Sequence, residues 1–411
     1  MNPAGAGGAG TTAQELPDRP DVEPIDASIT GPPSQRVWFA QALRGIACLI
    51  VVWEHLGQVY LSAPSIVRLV VFTPPDPTLG VQPPGFQTAV YRWLSEIHVL
   101  PGLFGVSLFF LISGFVIPFS LERHRLGGFF VRRFFRLYPT LWCGIAVALV
   151  ALGVQALLLH NGFPVGKKSI VTSGLLVSAY VGHPSVDPVY WTLAIEELFY
   201  VIVAVVAWRG MLHRRAVLGA VAAVLAAVCI GLARMPTPTT SVPDLWYLRT
   251  QLARNTGFVI FILIGVAFHQ HYRGRWTAAS AVAMGGGLLA AFAVSLFGGP
   301  FPGNQAGLYL GSGVAALLVF WPLYVCRERV PEVRALDALA NISYPLYIIH
   351  TVVGWVLLRA LFHLIPSFFV AVPLALAACI AIAAVLHRLV ELPSNALGRR
   401  IVARPAFRRQ D

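Results

Sequence analysis

The chain has 411 residues, of which 57% are hydrophobic and 12% charged, and its formal net charge is +12. With a mean hydropathy of +0.71, this composition excludes an ordinary soluble domain and indicates a multi-span membrane protein. In such a protein an excess of arginine is typical of cytoplasmic loops and of contacts with anionic lipids, not of nucleic acid binding. The five cysteines lie in apolar runs without metal-ligand spacing, so no metal is expected.

The first third of the chain divides into a tail and three predicted spans. Residues 1–35 are rich in Gly, Ala, Pro and acidic residues, which predicts a disordered cytoplasmic tail. Spans are predicted at about 38–60, 99–119 and 138–160. A proline-rich connection follows the first span, and an arginine-rich loop, expected to be cytoplasmic, follows the second.

Eight further apolar runs follow, and one of them is not predicted to cross the membrane. The run at 170–181 has about a dozen residues, too few for a hydrocarbon core of roughly 30 Å. Counting it as a span would also place arginine-bearing loops outside the cell. We therefore expect it to be re-entrant or to lie at the outer surface. The others are 190–208, 216–233, 256–271, 276–297, 307–326, 340–364 and 367–390.

The predicted fold class is an all-α polytopic membrane helical bundle with about ten transmembrane helices and one short re-entrant or surface helix. The membrane domain is predicted at 36–392, followed by a basic cytoplasmic tail at 393–411. Both termini are then cytoplasmic, and the expected location is the inner or plasma membrane.

The first span carries Arg44 and His55, two residues that are costly inside a membrane and are therefore functional candidates. Eleven residues at about 100° each complete nearly three turns, so both side chains share a face and stand roughly 16 Å apart along the axis. The alternative is that Arg44 extends to the cytoplasmic interface while His55 only hydrogen-bonds a neighbouring helix. Glu54 adjoins His55 but is predicted to project about 100° away from it, so it is not chosen as a partner.

A second polar group lies near the start of the predicted span at 190–208. Thr192, Glu196 and Tyr200 recur every four residues and so share one helix face. Glu196 and its neighbour Glu197 could be first-turn acids that stabilise the helix dipole. Two carboxylates exceed what that role requires, and an acid here could orient a histidine or receive a proton from a hydroxyl acceptor.

Two further candidates are a basic cluster and a second intramembrane histidine. Arg132, Arg133 and Arg136 fall on one helix face, and guanidinium groups suit phosphate. The alternative is ordinary positive-inside topology, which is the more common explanation for basic loops in general. His350 lies midway along the span at 340–364, where a packing role and a catalytic role both remain open.

The region from Trp38 to Leu392 resembles the acyltransferase-3 family of integral membrane acyltransferases, because five motifs occur in the family's order. The one visible departure is Thr192, where the family usually has serine, and the hydroxyl is retained. The motifs are Arg44 with His55, the stretch 105–115 (GVSLFFLISGF), Arg133 with Arg136, Trp191-Thr192-Leu193 with Glu196, and the stretch 342–350 (ISYPLYIIH) ending at His350.

The resemblance implies an acyltransferase that moves an acyl group, most commonly acetyl in this family, from cytoplasmic acyl-CoA to a hydroxyl. The acceptor would be a glycan, a glycolipid or a glycosylated metabolite such as a macrolide. His55 would act as general base or carry the acyl group itself, and Arg44 would steady the donor or neutralise oxyanion charge. Glu196 and His350 would support His55, and Arg132, Arg133 and Arg136 would hold the donor's phosphates.

The rival function is a proton-coupled transporter or flippase of a glycan or lipid. Ten spans with intramembrane Arg, His and Glu would also suit that activity. The sequence shows no inverted repeat and no matched pair of broken helices, which are features of many such transporters. Release of coenzyme A thiol separates the two functions.

Overall fold

The computed structural model describes residues 37–236 and 243–404, and this part of the chain is helical without strands. The predicted N-terminal tail at 1–35 and the end of the predicted C-terminal tail, 405–411, lie outside the described residues. The prediction of an all-α membrane bundle is confirmed. The helices are α1 (Trp38–Trp53), α2 (Pro64–Val71), α3 (Gly85–Glu96), α4 (Pro101–Arg123), α5 (Leu126–Leu158), α6 (Lys167–Gly174), α7 (Trp191–Trp208), α8 (Arg215–Arg234), α9 (Pro243–Tyr272), α10 (Ala278–Gly298), α11 (Gln305–Val325), α12 (Arg334–Ile349), α13 (Val352–Leu364), α14 (Phe368–Leu386) and α15 (Leu392–Val402).

Within the described residues, nine helical segments are long and apolar enough to cross a membrane. The pair α12 and α13 passes the same test only when taken together, and its axes differ by 79° at a break around His350 and Thr351. The predicted span at 340–364 thus corresponds to a sharply bent pair of helices, which is a tenth span if the pair crosses the membrane as one unit. The segment 170–181 contains the end of the short helix α6 and one 3-10 turn, so it makes no crossing.

The most deeply buried span is Leu245–Tyr272, which packs against α4 through facing glycines. A Cβ atom on Gly114 of α4 would overlap the Ile262 carbonyl oxygen, and one on Gly265 would overlap the Leu111 carbonyl oxygen. The two backbones are therefore in direct contact, as small residues allow at membrane helix interfaces. This contact fixes the position of α4, which contributes one wall of the site described below.

The first span changes its winding at the residue of greatest interest. After Trp53 the chain forms a π-helical segment over Glu54–Val59 and returns to α-helix at Tyr60–Ser62. A π-helical turn holds more residues than an α-helical turn, and such turns occur frequently at functional sites. His55 is the second residue of this segment, so its neighbours do not follow the ideal 100° spacing.

Polar side chains connect the ends of several helices. Glu122, next to the last residue of α4, pairs with Arg273 and Arg275, which follow α9. Gln155, near the end of α5, donates a hydrogen bond to the carbonyl of Val71, the last residue of α2.

Candidate active site

Most of the candidate residues line one of two cavities inside the bundle, whereas Arg132 and His350 are in the lining of neither. The arginine cavity, of about 90 Å³, is lined by Arg44, Arg133, Arg136 and Glu196 among others. The histidine cavity, of about 320 Å³, is lined by residues that include His55. Arg44 and His55 thus face different chambers, in the order that their separation along the first span requires.

His55 presents one ring nitrogen for chemistry. Its Nδ1 lies 2.8 Å from the Val51 carbonyl oxygen, and a carbonyl can only accept, so the hydrogen bond assigns the proton to Nδ1. Nε2 then keeps its lone pair and can act as a base or a nucleophile. The His55 carbonyl oxygen accepts a hydrogen bond from Trp355 Nε1 at 2.9 Å, which ties this turn to α13.

His350 lies against His55, so the structure brings the two histidines together. Their ring centroids are 4.9 Å apart and their planes differ by 83°. The Nδ1 atom of the fully buried His350 lies 2.7 Å from the Tyr347 carbonyl, and its Nε2 lies 3.2 Å from the Thr351 hydroxyl. His350 is therefore held by its own helix break and presents a ring face or edge to His55.

Three arginines from two helices come together, although not the three that sequence spacing grouped. Arg133 and Arg136 of α5 line the arginine cavity with Arg44, whereas Arg132 is not among its lining residues. The guanidinium group of Arg133 lies 5.6 Å from the ring centres of both Phe129 and Tyr200. Cation–π contacts of this kind hold the charged group in a fixed position.

Glu196 belongs to the arginine cavity and not to the histidine cavity. Its Oε1 accepts hydrogen bonds from the Ser113 hydroxyl at 3.1 Å and the Tyr200 hydroxyl at 2.5 Å. Within the described part of the chain it has no hydrogen bond to His55. Its position therefore favours balancing the charge of the arginines over orienting His55.

Two residues that sequence reasoning left aside also face the site. Glu54 lines the histidine cavity beside His55 and is hydrogen-bonded to Tyr91. Tyr347 lines both cavities, and its hydroxyl lies 2.8 Å from the Thr192 hydroxyl and 3.1 Å from the Val189 carbonyl. Its place inside the 342–350 motif was the one available signal.

A buried aspartate at the start of the α7 span supports the break in the α12–α13 crossing. The Asp187 carboxylate accepts hydrogen bonds from the backbone N–H of Val352 at 3.2 Å and of Val189 at 3.1 Å. The side chain of Asp187 is fully buried, and burial raises the pKa of its carboxyl group to about 7. Val352 begins α13, so Asp187 satisfies an N–H that a helix start leaves without a partner.

Comparisons with known proteins gave one family model and one curated relative. A family model described as an acyltransferase domain matches residues 37–388. Over 140 residues the chain is 33% identical to Nodulation protein 10 of Rhizobium leguminosarum bv. viciae, covering 29% of this chain and 37% of that protein. The chain thus spans well under half the length of that curated relative. No solved structure matches the chain.

Proposed function

This chain belongs to the acyltransferase-3 family, and from that premise we propose that it moves an acyl group from cytoplasmic acyl-CoA to a hydroxyl group. The acceptor class is a glycan, a glycolipid or a glycosylated metabolite. That the protein is a membrane acyltransferase follows from the family match together with its apolar helices. We propose in addition the identity of the donor and of the acceptor, a location in the cell membrane, and termini that lie in the cytoplasm.

The observation that carries the proposal is the arrangement of two chemically different cavities that share part of their lining. Arg44, Arg133 and Arg136 bring three guanidinium groups to one cavity, and His55 stands in the other. Guanidinium groups bind phosphate through paired charge-assisted hydrogen bonds. A donor with phosphates at one end and a thioester at the other can therefore reach both cavities at once.

The positions of the basic residues favour one of the two roles considered for Arg44. Because Arg44 lines the arginine cavity and His55 does not, Arg44 is suited to steady the donor along its length. Arg133 and Arg136 enter the same cavity from α5, where their charges favour the nucleotide phosphates of the donor. Glu196, which accepts hydrogen bonds from Ser113 and Tyr200, partly neutralises the positive charge of this cavity.

In direct transfer, the acceptor oxygen attacks the thioester carbonyl carbon while His55 Nε2 takes the hydroxyl proton. The carbon–sulfur bond breaks, and the departing thiolate receives that proton, so that free coenzyme A thiol and an ester are produced. In the relay alternative, Nε2 itself attacks the carbonyl carbon and the carbon–sulfur bond breaks, which releases coenzyme A as the thiolate. The acceptor oxygen then attacks the acyl carbon, the carbon–nitrogen bond breaks, and the acceptor's hydroxyl proton passes to the thiolate, so that His55 returns to its neutral form. The lone pair on Nε2 acts as the base in the first sequence of steps and as the nucleophile in the second.

The histidine cavity has walls suited to a large hydroxylated acceptor. Trp191 and Tyr309 contribute aromatic surfaces, and Glu54 contributes a carboxyl group beside His55. Binding sites for organic ligands are typically lined by apolar and aromatic side chains with a few placed polar groups. The composition of this cavity therefore supports an acceptor that carries its hydroxyl on a ring or chain with apolar faces.

Replacing His55 tests the proposal. We expect His55→Ala to lower acyl transfer by about 10²-fold to 10⁴-fold, since a positioned general base contributes that much. Release of coenzyme A thiol by the purified protein, supplied with acetyl-CoA and an extract of its host's glycolipids, is the measurement. The exposed His213→Ala variant is the matched control. Undiminished thiol release in His55→Ala would contradict the assignment, and substrate movement without thiol release by the wild type would favour a transporter.

A further inference from the structure

We propose that helix α3, in the connection between the first span and α4, lies in the interface of the bilayer with one apolar face inserted among the lipids. Its partner is the lipid surface itself, on the side of the membrane where the first span ends at Ser62. The sequence indicates a proline-rich connection in this region. The structure builds a helix of 12 residues there, Gly85–Glu96, a few residues before α4 begins at Pro101.

The large apolar side chains of α3 form a stripe that the described part of the chain leaves exposed. Positions 86, 90 and 93 of the helix, and position 97 directly after it, fall within about 60° of one another around the helix axis. Large exposed apolar surfaces mark contacts with a membrane or with another protein, and tryptophan is enriched where membranes meet water. The side chains are Phe86, Val90, Trp93 and Ile97, which are 82%, 37%, 58% and 49% exposed.

The side of α3 that faces the protein fixes the depth of the helix in the membrane. Gln87 Nε2 donates hydrogen bonds to the Gly57 carbonyl oxygen at 2.8 Å and to Gln58 Oε1 at 3.2 Å. Gly57 precedes Ser62, the last residue of the first span, by roughly 7 Å along the axis at about 1.5 Å per residue. The headgroup layer on each side of a bilayer is about this thick. Helix α3 therefore lies where interfacial helices bury their apolar faces.

The third side of α3 is polar, so that protein, lipid and water each have their own side of the helix. Arg92 and Glu96 lie on this side and are exposed. They are the charged residues in the sequence of α3, and their charges cancel. Burial of the apolar stripe, and not attraction to anionic lipids, therefore holds the helix at the membrane. On the protein side Tyr91 is hydrogen-bonded to Glu54, so the lipid-bound helix also contacts the turn that carries His55.

Spin labels attached to α3 test this position. Phe86→Cys, Trp93→Cys, Arg92→Cys and Glu96→Cys are made singly in the full-length protein after its five native cysteines have been replaced. Each variant is labelled with a nitroxide in nanodiscs of phosphatidylcholine, a lipid without net charge. Paramagnetic resonance gives the collision rate with oxygen, which concentrates in lipid, and with a nickel chelate, which stays in water. We expect the oxygen-to-nickel ratio at positions 86 and 93 to exceed that at 92 and 96 by about threefold or more, since the apolar face of an interfacial helix is buried among lipids.

Two other results would overturn the proposal. Equal ratios at all four positions would mean that the stripe stands in water. Immobile labels at 86 and 93 that neither reagent reaches would mean that a second copy or another protein covers it. If Phe86→Cys or Trp93→Cys does not fold, Val90→Cys and Ile97→Cys report on the same stripe. None of these measurements uses acyl transfer, so their outcome is independent of the proposed function.

Discussion

The positions of Arg133 and Arg136 make it possible to distinguish a role in donor binding from a role in membrane topology. Both line the arginine cavity with Arg44, while Arg132, one residue away on the same helix, does not line it. If these arginines served only to keep their loop in the cytoplasm, all three would be equivalent. Their different surroundings make the roles distinguishable by kinetics.

We expect the double variant Arg133→Ala with Arg136→Ala to raise the apparent KM for acyl-CoA by at least about tenfold. Loss of one charge-assisted hydrogen bond to phosphate is enough for a change of that size. Thiol release measured against donor concentration reports the KM, and Arg132→Ala should raise it much less. An unchanged KM in the double variant would return Arg133 and Arg136 to a topological role.

The sequence predicted which residues lie in the two cavities better than it predicted which side chains lie beside each of them. The eleven-residue spacing of Arg44 and His55 is short-range information, and the two residues lie in cavities that follow one another as a helical rise predicts. Glu54 is predicted to project about 100° away from His55, yet it lines the same cavity, because that cavity is completed by residues of other helices that spacing along one helix does not reveal. Glu196 was assigned to His55 from position along the chain, whereas its cavity is set by packing between helices.

At the scale of elements, the break between α12 and α13 is the feature that most affects the site. Hydrophobicity predicted one continuous span at 340–364, and the structure bends this crossing by 79°. The bend places His350 against His55 and leaves the N–H of Val352 free to donate a hydrogen bond to the Asp187 carboxylate. Asp187 precedes Val352 by 165 residues, so no local pattern could have predicted this support.

Asp187 also gives the break a dependence on pH. An aspartate in an unfolded chain has a pKa near 3.8, whereas burial raises the pKa of Asp187 to about 7. Between these values the folded protein keeps a proton that the unfolded chain releases. The contribution of Asp187 to stability is therefore fully present below about pH 4 and is lost as the pH rises toward 7.

We expect the apparent unfolding temperature of the wild type to fall as the pH is raised from about 5 to 7, within the range between the two pKa values of Asp187. The Asp187→Asn variant should show a smaller fall. Asparagine cannot titrate but can still accept the hydrogen bond from Val352. Tryptophan fluorescence of the detergent-solubilised protein during heating gives the measurement. Glu96→Gln, a change at an exposed carboxylate, should leave the pH dependence as in the wild type. Identical pH dependence in wild type and Asp187→Asn would contradict the role given to burial.

At the scale of the whole molecule, the number of crossings follows from physical limits that the sequence already contains. The segment at 170–181 is too short for a bilayer, and in the structure it holds part of α6 and one 3-10 turn. Among the described residues, nine helical segments are long and apolar enough to cross a membrane, and the bent pair makes ten if it crosses as one span. Lengths and composition suffice for this count, whereas the close contact of Gly114 with α9 depends on distant segments that only the folded chain brings together.

The proposed donor compartment requires that the arginine-rich end of the bundle face the cytoplasm. Helix α5, which carries Arg133 and Arg136, spans Leu126–Leu158, so exposed residues just beyond its first residue and just after its last report opposite sides of the membrane. Gly127 and Asn161 are both exposed and suit single cysteine substitutions once the five native cysteines have been replaced. Retained thiol release by the cysteine-free protein shows that this background is folded.

In intact cells, a membrane-impermeant maleimide should label the Asn161→Cys variant and should label the Gly127→Cys variant only after permeabilisation. The reason is that arginine-rich segments stay on the cytoplasmic side during insertion, which places the start of α5 inside and its end outside. The reverse labelling pattern would put the arginine cavity toward the outside, away from cytoplasmic acyl-CoA. In that case the direction of transfer from Arg44 toward His55 would have to be reversed, and the proposed donor could not be acyl-CoA from the cytoplasm.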